Sequence, residues 1–162
     1  MPKEKINLLI VDDETIFLES MAKRLGLRDF NVIAVDRGDK ALQAAEENPI
    51  DVALVDLKMP GIDGEETLKE LKKRHPYMEV VILTGHGSVD SAVSCTRSGA
   101  YSYLEKPCEL ERLLEVLSEA YKKKVLNKTK MKEEKMDELL KISTGSAPMT
   151  ILRKLKELDD NP

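Results

Sequence analysis

Two cysteines, two histidines and no tryptophan in 162 residues leave little material for several kinds of chemistry. Cys95 and Cys108 form neither a C-x-x-C pair nor a disulfide framework, and no His/Cys cluster offers zinc ligands, so both read as free thiols. Long apolar runs are also missing. The longest, such as residues 8–11 and 80–83, are far too short to cross a bilayer, and Met1-Pro2-Lys3-Glu4-Lys5 lacks a signal-peptide core. The expected compartment is the cytoplasm.

What is there is a core and a heavily charged surface: 41% hydrophobic and 35% charged residues, enough for one ordinary domain plus an extension. The charge is uneven. Through Tyr121 there are 15 basic and 23 acidic residues, and beyond it 11 and 7, so the body carries −8 and the tail +4. An acidic body argues against broad binding to a phosphate backbone and suits a site that collects a cation.

Five short apolar runs recur, at residues 6–11, 31–35, 52–55, 80–83 and 101–104, starting 25, 21, 28 and 21 residues apart. The segments between them carry helical periodicity, as in Ala41, Leu42, Ala44 and Ala45, or Thr67, Leu68 and Leu71. This alternation predicts a parallel five-stranded sheet with helices on both faces, since near-continuous apolar strands imply burial on both sides. Gly26, Asn48-Pro49 and His75-Pro76 mark the ends of three helices, and a fifth starts after Pro107 with the core stripe Leu110, Leu113, Leu114, Leu117 and Tyr121. Two-residue alternation places Tyr101 and Tyr103 on the same side of the last strand.

In an open parallel sheet, ligands bind beyond the carboxyl ends of the strands. Here the first strand runs out into Asp12-Asp13, the third into Asp56, the fourth ends at Thr84, and the fifth leads into Glu105-Lys106-Pro107. A single aspartate after a strand is most simply a helix cap. Three together repel one another unless a cation or Lys106 offsets their charge. Hard oxygen donors without His or Cys point to magnesium. With a metal, a lysine and a hydroxyl beside it, an aspartate can attack phosphorus to give an acyl phosphate.

The sequence resembles the receiver domain of bacterial two-component response regulators. The resemblance covers about residues 4–122 and rests on Leu9-Ile10-Val11-Asp12-Asp13-Glu14, Leu54-Val55-Asp56-Leu57-Lys58-Met59-Pro60-Gly61, Leu83-Thr84-Gly85 and Tyr103-Leu104-Glu105-Lys106-Pro107. It implies a flavodoxin-like doubly wound sheet of strand order 2-1-3-4-5. It makes Asp56 the phosphoacceptor, with Asp12, Asp13, Asp56 and the Lys58 backbone carbonyl holding Mg2+, and Thr84 and Lys106 contacting the phosphoryl group. It makes Tyr103 the aromatic that responds to Thr84, and the Lys106–Pro107 bond cis. Lys58 and His86 fall where the family varies and tunes the lifetime of the phosphoryl group. The implied donor is a sensor histidine kinase or phosphotransfer protein, and the chain is expected to signal rather than act as an enzyme on other substrates. Two alternatives are a magnesium-dependent phosphatase with an aspartyl intermediate and a degenerate receiver serving only assembly.

The expected organisation is a receiver over residues 1–123 and a Lys/Glu-rich helical tail over 124–162. The fourth helix, residues 88–98, contains Ser88, Ser91, Ser94 and Ser98, mediocre helix formers that would leave it easy to shift. Beyond Tyr121 a continued fifth helix is expected through the Lys/Glu-rich stretch to Lys141, but its apolar residues keep no single heptad register, which favours a short packed helix or a frayed linker over a long coiled coil. Residues 143–148 read as a loop and 149–158 as a small amphipathic helix. The tail is too short for an AAA+ ATPase, and the chain has neither a G-x-x-x-x-G-K-[ST] loop nor a clear helix-turn-helix. The residues around Thr84-Gly85-His86-Gly87-Ser88 are similar to receivers of enhancer-binding transcription activators. A protein partner, with a homodimer as an option, is expected in place of direct nucleic-acid or membrane binding.

Overall fold

The computed structural model describes residues 4–142. Strands and helices alternate: β1 (Ile6–Val11), α1 (Thr15–Gly26), β2 (Phe30–Val35), α2 (Gly38–Glu47), β3 (Val52–Val55), α3 (Gly64–Arg74), β4 (Glu79–Thr84), α4 (Val89–Arg97), β5 (Ser102–Glu105) and α5 (Leu110–Ile142). All four strand pairs are parallel, in the order β2-β1-β3-β4-β5. This is the expected sheet. The chain reverses direction of travel across it after β2, which opens a crevice above the carboxyl ends of β1 and β3.

Alternation along each strand sorts the core into two layers. Leu8, Ile10, Val52, Leu54, Val81 and Leu83 face Leu18, Met21 and Leu25 of α1 and Leu113, Val116, Leu117 and Ala120 of α5. Their neighbours Leu9, Val11, Ala53, Val55, Val80 and Ile82 face Ala41, Ala44 and Ala45 of α2, Leu68 and Leu71 of α3, and Cys95 of α4. The central strands β3 and β4 are buried throughout, while the edge strands β2 and β5 are only partly so. Hence the near-continuous apolar runs belong to the middle of the sheet.

Some expectations shift. Tyr101 and Tyr103 pack on opposite layers, Tyr101 with the α1/α5 side and Tyr103 with the other. Tyr101 lies just before β5, in a bend, so strand alternation does not reach back to it. In α5, Val116 and Ala120 join the core, whereas Leu110, Leu114 and Tyr121 are only partly buried against it. The fifth helix continues past Tyr121 as expected, and its run to Ile142 exceeds the short packed helix or frayed linker that the missing heptad register favours. The described residues divide into two compact units after Lys124. The expected loop at 143–148 and helix at 149–158 lie outside the described residues. Among the described residues, no helix is long and apolar enough to cross a membrane.

Candidate functional site

β1 and β3 are neighbours in register, Val11 opposite Val55, so the residues that follow them, Asp12 and Asp56, emerge side by side. The Asp56 amide donates to the Val11 carbonyl at 2.9 Å, extending the pairing one residue beyond the strands. One carboxylate oxygen from each of Asp12, Asp13 and Asp56 falls within 4.8 Å of the others. Asp12 and Asp56 are each only 2% exposed, while Asp13 is open to solvent. Carboxylate oxygens gathered this closely, with one side chain open to water, suit a hard divalent cation.

The two buried carboxylates differ in what satisfies them. Asp12 Oδ1 accepts from the Glu14 amide at 2.9 Å and Asp12 Oδ2 from Lys106 Nζ at 2.6 Å. Asp56 Oδ1 is buried with no hydrogen-bond partner. A buried acceptor left unpaired is costly, so this atom calls for a cation or a covalent partner. The donor set and the unpaired oxygen both fit magnesium. Burial is the main reason the Asp12 carboxyl is lifted above its ordinary range; the Asp56 charge pushes the same way, while Lys106 and the Glu14 amide pull back.

Lys106 comes from the residue after β5, whose Lys106–Pro107 peptide is cis. Its ammonium lies 3.9 Å from the centre of the Phe17 ring, on α1, and 3.8 Å from Glu14 Oε1. The cation is therefore seated on an aromatic face as well as paired with Asp12. Thr84, the last residue of β4, is fully buried, and its hydroxyl accepts from the His86 amide at 3.1 Å. Lys58 and His86 are exposed, two residues past Asp56 and Thr84 respectively. Tyr103 is half-buried in β5, and its hydroxyl lies 2.7 Å from Ser91 Oγ of α4.

Three contributors escape sequence reasoning. Phe17 supports Lys106 from 89 positions away, a pairing no local pattern encodes. Gly64 opens α3 so close to the phosphoacceptor candidate that a Cβ there would sit 2.1 Å from the Asp56 carbonyl oxygen. Ser91, read only as a weak helix former, is the partner of Tyr103. The serines of α4 do more than tolerate a helix: Ser88 caps it, Ser88 and Ser91 form a capping box, and Ser94 donates to Glu65 of α3.

Comparison with known proteins agrees with this geometry. The family described as "Response regulator receiver domain" matches residues 8–118. A putative response regulator NtrX-like of Rickettsia felis is 35% identical over 135 residues, which is 82% of this chain and 27% of that protein. The transcriptional regulatory protein ZraR of Klebsiella oxytoca is 38% identical over 120 residues, 74% of this chain and 27% of that one. The chain thus spans about a quarter of the length of these relatives. Among solved structures, a response regulator receiver domain protein from Clostridium thermocellum superposes with a TM-score of 0.71 at 35% identity, covering 75% of this chain and 98% of that one. The beryllofluoride-activated NtrC4 receiver domain dimer gives 0.69 at 32% identity, covering 73% and 98%. Sheet order, strand-end carboxylates and family match converge: the chain belongs to the response regulator receiver domain family of two-component signalling.

Proposed function

We propose that Asp56 is the phosphoacceptor of this receiver, taking its phosphoryl group from the phosphohistidine of a sensor histidine kinase or phosphotransfer protein. The observation that carries the reading is the unpaired, buried Asp56 Oδ1 beside carboxylate oxygens of Asp12 and Asp13. In the reaction an Asp56 carboxylate oxygen bonds to phosphorus while the bond from phosphorus to the donor nitrogen breaks, leaving an acyl phosphate. Asp12, Asp13, Asp56 and the Lys58 backbone carbonyl would hold a magnesium ion, which would supply positive charge against the incoming phosphoryl oxygens. Lys106 exchanges Asp12 for a phosphoryl oxygen and donates to it. The Thr84 hydroxyl, whose proton is not used in accepting from the His86 amide, donates to another.

The movement of Thr84 toward phosphate draws on the loop that leads into α4, and Tyr103 follows. The surface around α4 and β5 then changes for a protein partner or a second copy of the chain. The activated dimer is known for the NtrC4 receiver; for this chain it is a proposal. Residues 1–123 form the receiver and 124–162 a tail that modulates it, in the cytoplasm, without direct contact to nucleic acid. The phosphoryl group is a signal on the protein, so the chain assists only its own phosphorylation and dephosphorylation. Lys58, two residues after the acceptor, stands where a phosphatase of this kind would need an acid/base, and no observation favours that alternative.

The test is chemical location of the phosphoryl group. After incubation with magnesium and a small acyl phosphate, borohydride reduction converts a phosphorylated aspartate to homoserine. Peptide mapping is expected to find that conversion at Asp56. Conversion at Asp12 or Asp13, or at no carboxylate, contradicts the assignment.

A further inference from the structure

α4 is weakly anchored by apolar contact: Cys95 is its one fully buried residue among those described. Polar contacts do the rest. On one flank Ser94 donates to Glu65 of α3, and on the other Ser91 Oγ meets the Tyr103 hydroxyl at 2.7 Å. Ser91 also completes the helix's own capping box with Ser88. Its hydroxyl oxygen lies 3.0 Å from the Ser88 amide, 3.1 Å from Ser88 Oγ and 3.0 Å from the Ser88 carbonyl oxygen. One hydroxyl has a single proton and two lone pairs, so at most three of these four partners can be served at once. The contact to Tyr103 is the shortest of the four.

The ring is fixed from a second side. A Cβ at Gly87 would come within 2.6 Å of the Tyr103 hydroxyl, so the tyrosine lies directly on the loop between β4 and α4. That loop follows Thr84, the last residue of β4, and ends at the cap residue Ser88. Thr84, Gly87, Ser88, Ser91 and Tyr103 therefore form one connected path from the fourth strand to the first turn of α4.

We propose that Ser91 is a positioning residue for Tyr103: its hydroxyl latches the ring to the first turn of α4, so that ring and helix move together. The signalling role of this latch rests on the reading of Tyr103 as the aromatic that responds to Asp56. The latch acts through a group the helix also needs for its cap. Loss of the Ser91–Tyr103 bond is thus felt in two places, at the ring and at the amides of the first helical turn. A single neutral hydrogen bond changes a local equilibrium by roughly five-fold, which sets the size of effect to look for.

The experiment uses the full chain with 3-fluorotyrosine in place of tyrosine, the Tyr103 resonance being identified from Tyr103→Phe. Hydrogen exchange at the α4 amides is followed in parallel. In unphosphorylated protein, Ser91→Ala is expected to move the Tyr103 resonance and to raise exchange in the first turn of α4 roughly five-fold or more. Tyr103→Phe raises exchange there without touching the capping box. Ser88→Ala, which removes the acceptor for the Ser91 amide, raises exchange and leaves the Tyr103 resonance in place. Ser91→Thr keeps a hydroxyl and retains the natural resonance. A Tyr103 resonance unmoved by Ser91→Ala, an α4 turn unaffected by Tyr103→Phe, or a Ser91→Thr chain that behaves like Ser91→Ala overturns the latch. Phosphorylation with magnesium and a small acyl phosphate separates the two readings. If it fails to move the resonance in the natural chain while Ser91→Ala does move it, the switch role of Tyr103 falls and the hydrogen-bond latch stands.

Discussion

Gly64 shows how a residue can matter through what it lacks. A Cβ at this position would lie 2.1 Å from the Asp56 carbonyl oxygen and 2.6 Å from Leu57 Cα, both backbone atoms that cannot swing aside. The Gly64 amide donates to the Leu57 carbonyl at 2.8 Å, so α3 starts directly against the peptide that carries Asp56, the proposed phosphoacceptor. Replacing Gly64 with Ala must push the two apart. The expected cost is about 1–3 kcal/mol, the range for overpacking, read as a lower urea midpoint, together with slower phosphorylation of Asp56. Unchanged stability would mean that the β3–α3 loop yields more easily than its contacts indicate. The sequence marked Asp12, Asp13, Asp56, Thr84 and Lys106 because each carries a functional group at a strand end. It was silent on Gly64 and Phe17 because their contributions are distances to residues far along the chain.

Among elements, the sheet and its helices were legible because period-two and period-3.6 patterns reflect burial directly. The corrections fall where burial is not the deciding force. α4 is held by hydroxyls, which hydropathy does not rank, and Tyr101 left the strand pattern because a bend precedes β5. The amino-terminal edge of the sheet carries a charge cluster of the same hidden kind. Glu79 is 2% exposed at the start of β4, with Lys72 of α3 and Lys123 of α5 at 3.8 and 3.9 Å. Lys72 also donates to the Pro76 and Met78 carbonyls, both at 3.0 Å, and its burial pulls its pKa below the ordinary value. Lys124 pairs with Asp51 at 2.6 Å on the same edge. Lys72→Met leaves Glu79 buried with one distant partner and removes two charged hydrogen bonds, an expected loss of about 2–4 kcal/mol by chemical denaturation. Lys123→Met should cost well under 1 kcal/mol, since that side chain is half exposed. Equal losses for the two would show that the cluster does not depend on burial.

At the scale of the molecule, the site sets stability against function. The raised pKa of Asp12 means that the folded chain binds its proton more tightly than the unfolded chain does. Its contribution to stability is therefore fully present below the ordinary value of 3.8 and is lost as pH rises through the raised folded value. At neutral pH, with a chelator present, Asp12→Asn is expected to melt higher than the natural chain, and the gap should close as the pH falls toward 3.8. Magnesium should raise the natural chain by about 2.7 kcal/mol at a hundredfold excess over its Kd, and Asp12→Asn by much less. A natural chain that melts above Asp12→Asn in chelator, or one indifferent to magnesium, would mean that burying the charged Asp12 carboxylate costs the fold nothing. The most direct measurement of the central claim is intact mass after incubation with a small acyl phosphate, comparing the natural chain with Asp56→Asn, each with magnesium and with chelator. One phosphoryl adduct on the natural chain with magnesium, and none in the other three samples, is the predicted result; an adduct on Asp56→Asn, or none on any sample, contradicts it.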